Sequence, residues 1–542
     1  MKWNRSGAPW TALVLVGGLT VGAAALGVAM APGSSSPNRA PTPLPTPVSA
    51  TALPAASTPN PPTSAPAVPV PPGPPSPPSP GPPTVNPAAW RGHGELAFVS
   101  SGHLLEVSNS GAVTAVGGTP GGGFDSNPQW SPDGAVLAFL HTGPTEGYDT
   151  PPPTLWVVLA GAGTAREVTS SLVGEYAWSP VRDVLAFTEF NANETTSPET
   201  ERVWFYEPDE STATATDPGP LPLPQSVVVG TGVGVEAIAW SPDGSALAFG
   251  TAQFAQPPTA TSPARPPIGF VGTITVAGNQ VQTIYQLPEA ALSLAGWWPD
   301  GGGLLFWEDP GFADSADGDM LYSLAAGSQH PVPLVGGLLN STWLADSPDG
   351  STVAVVAGNG RTVWQAGRDV TLCQFPAATC SPVPIPAGSV GLAPSWTANG
   401  DLVFADASAS GPFGPTGGAF WTPGWMAQWN ATNRLLADVP GTPPTAVAPA
   451  PAGSLLATPA AHGPSMLVVA DDQLWLVSPD GTGTPTVRVA GPLYSTAGPS
   501  GYYGEVDWAG TFAWSAAAPS TRTTASTILL EEGFGSPAAE MP

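Results

Sequence analysis

Apolar residues fall along this chain in two patterns. Near the start, Thr11 to Ala31 form one uncharged stretch of 21 residues, and about 20 suffice to cross a bilayer as a helix. From residue 95 onward the apolar residues come in short runs bounded by Gly, Pro, Asp or Asn. ELAFV at 95–99, VLAFL at 136–140, ALAFG at 246–250 and GLLFW at 303–307 are examples. Runs of this length between turn residues predict strands. Apolar residues at consecutive positions, as in Val136-Leu137-Ala138-Phe139, predict burial on both faces of a sheet. A half-exposed sheet would alternate instead.

The runs recur with a preceding motif. Trp130 opens WSPDGAVLAF and Trp240 opens WSPDGSALAF. Trp178 opens WSPVRDVLAF, Trp297 opens WWPDGGGLLF, and Trp396 opens WTANGDLVF. Asp346 opens DSPDGSTVAV, where the aromatic residue has become Asp. Weaker copies are PAPAGSLLAT from Pro449 and WAGTFAW from Trp508. Successive anchors lie 48 to 62 residues apart, room for four short strands and their turns. The motif has a turn's chemistry: Pro pre-sets φ at the second position, Asp suits the third, and Gly closes it. The Trp ends one strand and the LAF-type run begins the next. A third strand follows, as in Leu155-Trp156-Val157-Val158 or Gln473-Leu474-Trp475-Leu476-Val477. A fourth follows that, as in Thr486-Val487-Arg488-Val489. Four-stranded sheets stacked face to face around an axis give burial on both faces, which is a β-propeller.

The WSPDG-x-x-LAF unit with its distal LWVV strand resembles the propeller repeat of TolB-type proteins, which are related to WD-repeat proteins. The resemblance covers roughly residues 90 to 515 and implies an all-β binding scaffold, with no specific reaction. Catalytic members of that group carry a separate hydrolase domain, whereas here only the short tail Ala516 to Pro542 follows. The count of units predicts eight blades, or seven if the Pro449 unit is not one. The first unit lacks an innermost strand, and Gly504–Trp508 is expected to supply it from the C-terminus. The repeat anchors are Trp130, Trp178, Trp240, Trp297, Trp396 and Trp508, and the first five are expected to be buried between blades.

The N-terminus changes the picture from a soluble ring to a tethered one. Lys2 and Arg5 precede the apolar stretch, so residues 1–10 are expected in the cytoplasm and 11–31 to anchor the chain. Ala29-Met30-Ala31 also has the form of a signal-peptidase site, which would release the protein by cleavage after Ala31. Residues 32–88 hold 22 prolines, one charge and no aromatic residue, so they cannot build a core and predict a disordered, extended spacer. The propeller is then expected over 89–515, outside the cytoplasm, with a low-complexity tail at 516–542. Acidic residues outnumber basic ones by 40 to 13, net −27. A chain so acidic has no basic stripe for nucleic acid. Glycine and proline make up about a quarter of the residues (65 and 71), which excludes a helical bundle.

Candidate chemistry is sparse. Cys373 and Cys380 are the only cysteines and predict one disulfide in an oxidising compartment. The five histidines form no HxH or HExxH pair, and there is no G-x-S-x-G elbow, Walker loop or dinucleotide fingerprint. Glu308, Asp309, Asp314, Asp317 and Asp319 form an acidic run. It reads as a solvated loop, with calcium at Asp314, Asp317 and Asp319 as the alternative. No other cofactor is expected. Phe420, Trp421, Trp425 and Trp429 are the densest aromatic cluster, read as inter-blade packing or as a binding patch for a protein or sugar. Asn193, Asn340 and Asn430 head N-x-Ser/Thr sequons. The expected function is a membrane-anchored propeller that binds a protein or envelope component and is not an enzyme. The alternatives are a glycan-acting enzyme with loop-borne carboxylates and a purely structural surface protein. Partner recognition is expected on a loop face or at the channel mouth, near the insertions Asn191–Thr200, Asp209–Gln225 and Phe254–Pro267.

Overall fold

The computed structural model describes residues 83–144, 151, 153–190, 200–208, 225–231, 234–253, 268–277, 280–288, 291–309, 319–337, 343–358, 362–410, 428–439, 442–460, 464–478, 486–493 and 508–515. The expected apolar span and nearly all of the spacer lie outside these residues. Among the described residues no helix is long and apolar enough to cross a membrane.

The strands form eight antiparallel blades, each written from the innermost strand outward. Blade 1 is Phe512–Ser515, Glu95–Ser100, His103–Val107 and Val113–Ala115. Blade 2 is Phe124–Trp130, Val136–Thr142, Thr154–Leu159 and Arg166–Thr169. Blade 3 is Leu172–Trp178, Leu185–Phe190, Thr200–Tyr206 and Gln225–Thr231. Blade 4 is Gly234–Trp240, Ala246–Gln253, Ile268–Thr275 and Gln280–Pro288. Blade 5 is Ala291–Trp297, Gly303–Asp309, Asp319–Ala325 and Val332–Gly337. Blade 6 is Leu344–Asp346, Thr352–Ala357, Asp369–Gln374 and Thr379–Pro382. Blade 7 is Ser389–Trp396, Leu402–Ser408, Arg434–Asp438 and Thr445–Ala446. Blade 8 is Ser454–Pro459, Met466–Ala470, Gln473–Val477 and Thr486–Gly491. Blades 5 and 6 also touch directly through a Gly337–Ala357 pairing.

The apolar runs are the second strands, and their neighbours explain their pattern. Val136–Thr142 and Glu95–Ser100 are buried along their whole length. Val136, Ala138 and Leu140 pack with Val173, Leu185 and Phe187 of blade 3. The alternate residues Leu137 and Phe139 pack with Ala97, Val99 and Leu104 of blade 1. Each strand is therefore sandwiched between two blades, and each buried large side chain contributes about 1.5–3 kcal/mol.

The Ser-Pro-Asp-Gly turns behave as the motif's chemistry demands. Gly134 N–H donates to Ser131 O at 2.9 Å, and Gly134 has φ of +70°, a conformation cheap only for glycine. Asp133 Oδ1 accepts from Ser131 Oγ at 2.7 Å and from Ala135 N–H at 2.9 Å. Asp243 and Asp349 repeat this arrangement with Ser241 and Ser347.

Two units differ from the sequence expectation. Ser454–Pro459 is the innermost strand of blade 8, whereas PAPAGSLLAT reads as a second strand. The turn of that blade comes later, where Ala460 N–H donates to Ser465 O, the bond that Ser131 makes to Val136 O in blade 2. The degenerate sequence matched the motif one strand too early. The ring is closed by the C-terminus as expected, but the closing strand is Phe512–Ser515 rather than Gly504–Trp508. Trp514 faces Leu96 in register, as Trp130 faces Leu137, so Trp514 and not Trp508 holds the repeat position. Trp508 is buried and leads into a single turn, Ala509–Thr511.

The described chain enters the ring earlier than residue 89. Thr84–Val85 add a fifth strand to the outer edge of blade 8, opposite Gly491 and Ala490. Asn86 N–H donates to Val489 O at 2.7 Å, and Arg488 Nη2 donates to Thr84 Oγ1 at 2.7 Å. Trp90 then fills the seam to blade 1: it is fully buried, and its ring meets that of Trp514 edge-on at 5.6 Å. Both ends of the propeller chain thus meet at one seam.

Candidate functional site

The direction of the strands sorts the connections onto two ends of the ring. Turns from first to second strand and from third to fourth lie at one end. Connections from second to third strand and from one blade to the next lie at the other. At the first end the turns are tight, apart from 207–224 in blade 3. At the second end the second-to-third connections are long in six consecutive blades: 143–153, 191–199, 254–267, 310–318, 358–368 and 409–433. They shrink to Ser101–Gly102 in blade 1 and Asp471–Asp472 in blade 8. The strands bracketing the expected insertions Asn191–Thr200 and Phe254–Pro267 put both at the long-connection end. Those bracketing Asp209–Gln225 put that insertion at the opposite end.

Buried polar groups brace the long-connection end. His141 Nδ1 and Asp125 Oδ1 lie 2.8 Å apart, and Asp125 Oδ2 accepts from Leu104 N–H of blade 1 at 3.1 Å. Gly123 covers this pair closely, since a β-carbon there would sit 2.0 Å from Thr142 O and 2.9 Å from His141 Nε2. Thr169 Oγ1 of blade 2 donates to Glu189 Oε1 of blade 3 at 2.8 Å. Arg434 Nε donates to Asp406 Oδ2 at 2.8 Å. Arg368 is fully buried, with Nε donating to Thr362 O at 2.7 Å. Trp364 and Trp429 meet edge-on at 5.9 Å, Trp429 Nε1 donates to Ser408 O at 2.8 Å, and Ser410 N–H donates to Trp364 O at 2.7 Å. These contacts tie the roots of the blade 6 and blade 7 connections together. Such a rim holds divergent loops on a fixed frame. At the same end, burial pushes the Asp472 carboxyl above the usual carboxylate range, with the Asp471 charge adding to it.

At the tight-turn end two buried carboxyls stand on adjacent strands of blade 1. Glu106 Oε2 accepts from Gly161 N–H of blade 2 at 2.8 Å, and Glu95 Oε1 accepts from Asn109 N–H at 3.1 Å. Burial, opposed by that hydrogen bond and reinforced by the Glu95 charge, pushes the Glu106 carboxyl up to about 7. Burial raises Glu95 as well.

The repeat tryptophans form a linked series near this end. Trp130 Nε1 donates to Ala513 O at 3.2 Å, Trp178 to Gln129 O at 3.0 Å and Trp240 to Ala177 O at 3.0 Å. Trp297 donates to Ala239 O at 2.9 Å and Trp396 to Ala345 O at 3.0 Å. Each indole therefore staples its inner strand to the preceding blade's, at the residue just before that blade's own repeat position. Only Trp240 in this set is buried; Trp130, Trp178, Trp297 and Trp396 are half-buried, which corrects the expectation of full burial. An indole that must reach a neighbouring carbonyl lies across the strand ends rather than inside the sheet stack. Trp508 stands outside the series, and its Nε1 has no hydrogen-bond partner among the described residues.

Cys373 and Cys380 form a disulfide across the outer hairpin of blade 6. Of the aromatic cluster, Trp429 is a buried brace, while Phe420, Trp421 and Trp425 lie outside the described residues. So do Asn193, Asn340, Asp314 and Asp317, and the side chains of Glu308, Asp309 and Asp319. Among the described residues no group of three or more His, Cys, Asp or Glu gathers to hold a metal. The braces had no sequence signal, because Asp125, His141, Glu189 and Asp406 belong to no motif and find their partners across blades or across a hairpin.

No family model matches the chain, and no curated protein matches it. Among solved structures it is similar to dipeptidyl peptidase 4 of Porphyromonas gingivalis (10% identity, 73% of this chain and 59% of that one, TM-score 0.44). It is also similar to prolyl oligopeptidase B from Galerina marginata (11% identity, 71% and 52%, TM-score 0.43). A third similarity is to TolB from Acinetobacter baumannii (14% identity, 78% and 66%, TM-score 0.30). The chain spans little more than half the length of the two peptidase chains.

Proposed function

We propose that this protein is a binding scaffold whose long-connection end captures a protein or a cell-envelope component. The observation that carries the reading is the asymmetry of the ring. Six consecutive blades send their long connections to one end, and side-chain hydrogen bonds and indole contacts fix the roots of those connections. A surface of variable loops on a rigid frame suits recognition. In this reading Thr11–Ala31 anchors the chain in a membrane, and the proline-rich segment to residue 82 holds the propeller away from it, outside the cytoplasm. The scaffold itself performs no reaction.

The test uses the full chain with two internal deletions. Removing Ser211 to Pro222 shortens the one long turn at the opposite end. Removing Ala255 to Arg265 shortens a connection at the binding end. Affinity capture from envelope extracts is expected to lose its partner with the second deletion and keep it with the first. Equal capture by both deletion variants and the intact chain, or loss only with the first, overturns the assignment of the face.

A further inference from the structure

Among the described residues, blade 8 is joined to neither neighbour by a repeat indole. Pro459 stands at the repeat position of its inner strand, facing Met466 in register, so no indole reaches back to blade 7 as Trp396 reaches back to Ala345 O. On the other side, Trp514 of blade 1 donates to His93 O at 2.6 Å rather than to the inner strand of blade 8. The segment Thr84–Trp90 bridges that seam instead, and it is held differently on its two sides. On blade 1, Gly92 N–H donates to Asn109 O and Gly94 N–H to Asn109 Oδ1, both at 2.9 Å, and Arg91 Nε donates to Ser110 O at 3.1 Å. Pro87 lies so close to blade 1 that a β-carbon on Gly111 would sit 2.6 Å from Pro87 O. On blade 8 the hold is a two-residue ladder, Thr84 opposite Gly491 and Val85 opposite Ala490. The bonds of Asn86 and Arg488 described above flank it, and Thr84 Oγ1 donates to Gly491 O at 3.3 Å. Thr84 and Asn86 are exposed to solvent. Trp90 lies in one apolar cluster with Leu96 and Val107 of blade 1 and with Leu476 and Val489 of blade 8.

We propose that Thr84–Trp90 is a latch, pinned to blade 1 and releasable from blade 8, and that its release frees the outer strands of blade 8 from the ring. Backbone bonds that are few and open to water break at low cost, ahead of global unfolding, and the ladder on blade 8 has that character. The pinned side turns at Gly92 and Gly94, with φ of +90° and +91°, a backbone open to glycine that folds the segment back onto blade 1. When the latch leaves, the edge of Thr486–Gly491 passes to water, and Leu476 and Val489 lose the cover of Trp90. A blade with an indole staple would still be fastened at its inner strand, but blade 8 has none. Ser100 Oγ of blade 1 donates to Pro492 O at 2.5 Å at the long-connection end, so the seam remains tied there while the outer edge opens. In the chain, residues 1–82 lead directly into the latch, so a pull on them is felt at Thr84 before any other part of the ring. The latch depends neither on the membrane anchor nor on the binding face proposed above.

The experiment is hydrogen exchange read by mass spectrometry on the full-length protein in detergent. Val85→Cys combined with Ala490→Cys places two thiols opposite each other in register, and oxidation locks the latch. In the oxidised form the amides of Gln473–Val477 and Thr486–Gly491 are expected to exchange at least about tenfold more slowly than in the same chain reduced. Those of Ala246–Gln253 in blade 4 are expected to exchange alike in both forms. The native chain with and without reductant corrects for opening of the Cys373–Cys380 bond in blade 6. Trp90→Ala is expected to speed exchange in the same blade 8 strands by at least about tenfold and to leave blade 4 unchanged. If Trp90→Ala does not fold, the locked chain decides alone. The proposal is overturned if locked and reduced forms exchange alike in blade 8, if the lock slows every blade equally, or if folded Trp90→Ala speeds all blades equally or none.

Discussion

Glu106 makes the propeller less stable as pH rises from about 4.5 to about 7, and the magnitude follows from its site. The side chain is 2% exposed and its Oε1 has no hydrogen-bond partner among the described residues. Ionisation is supported only by Gly161 N–H and opposed by burial and by Glu95. The carboxyl titrates at about 7 in the folded chain against 4.5 as its reference. The folded state therefore binds the proton more tightly than the unfolded state. The contribution is fully present below pH about 4.5 and falls by roughly 1.4 kcal/mol per pH unit between the two values. It is gone above about 7, a loss of about 3 kcal/mol in all. Glu106→Gln keeps an oxygen for Gly161 and removes the charge. The variant is expected to match the native chain near pH 4.5 and to exceed its stability by up to about 3 kcal/mol near pH 8. Denaturant unfolding followed by circular dichroism at several pH values reads this directly. Other groups raised by burial, such as Glu95 and Asp472, act in the same direction but are common to both proteins. Parallel pH profiles for the native chain and Glu106→Gln would refute the reasoning.

Other outcomes follow from the same contacts. Trp240→Ala, which removes a buried ring packed edge-on against Phe205 at 5.7 Å, is expected to cost about 3–5 kcal/mol. Trp178→Ala, half-buried, is expected to cost less, and equal costs in unfolding experiments would contradict the burial argument. Gly123→Ala forces a methyl group against Thr142 O and is expected to lower the melting temperature, whereas Gly121→Ala, in open space, is expected to have little effect. Non-reducing peptide mapping is expected to recover Cys373 linked to Cys380, and reduction is expected to cost about 2–3 kcal/mol; free alkylation of both without reductant would contradict it. Protease added to intact cells is expected to release the propeller and leave a small membrane stub, and a fully protected propeller would exclude the anchored topology.

The strand runs, the turn motif and the eight units were legible in the sequence because their physics is local. Pro132, Asp133 and Gly134 build their turn from adjacent residues, and Val136 to Phe139 declare burial on both faces by being consecutive and apolar. Where the motif decayed, local information failed. Gly453-Ser454-Leu455-Leu456 carries the right letters one strand too early, and only the pairing of Ser454–Pro459 with Met466–Ala470 places it innermost. Trp508 and Trp514 are likewise indistinguishable until Trp514 is seen opposite Leu96. The sorting of loops onto two ends required strand direction around the ring. So did the partners of Asp125, Glu189 and Arg368. These are consequences of which residues meet across blades or across a hairpin, and no spacing along the chain encodes that. Tertiary structure alone decides them, because a buried polar group acquires meaning only from the neighbour it does or does not reach.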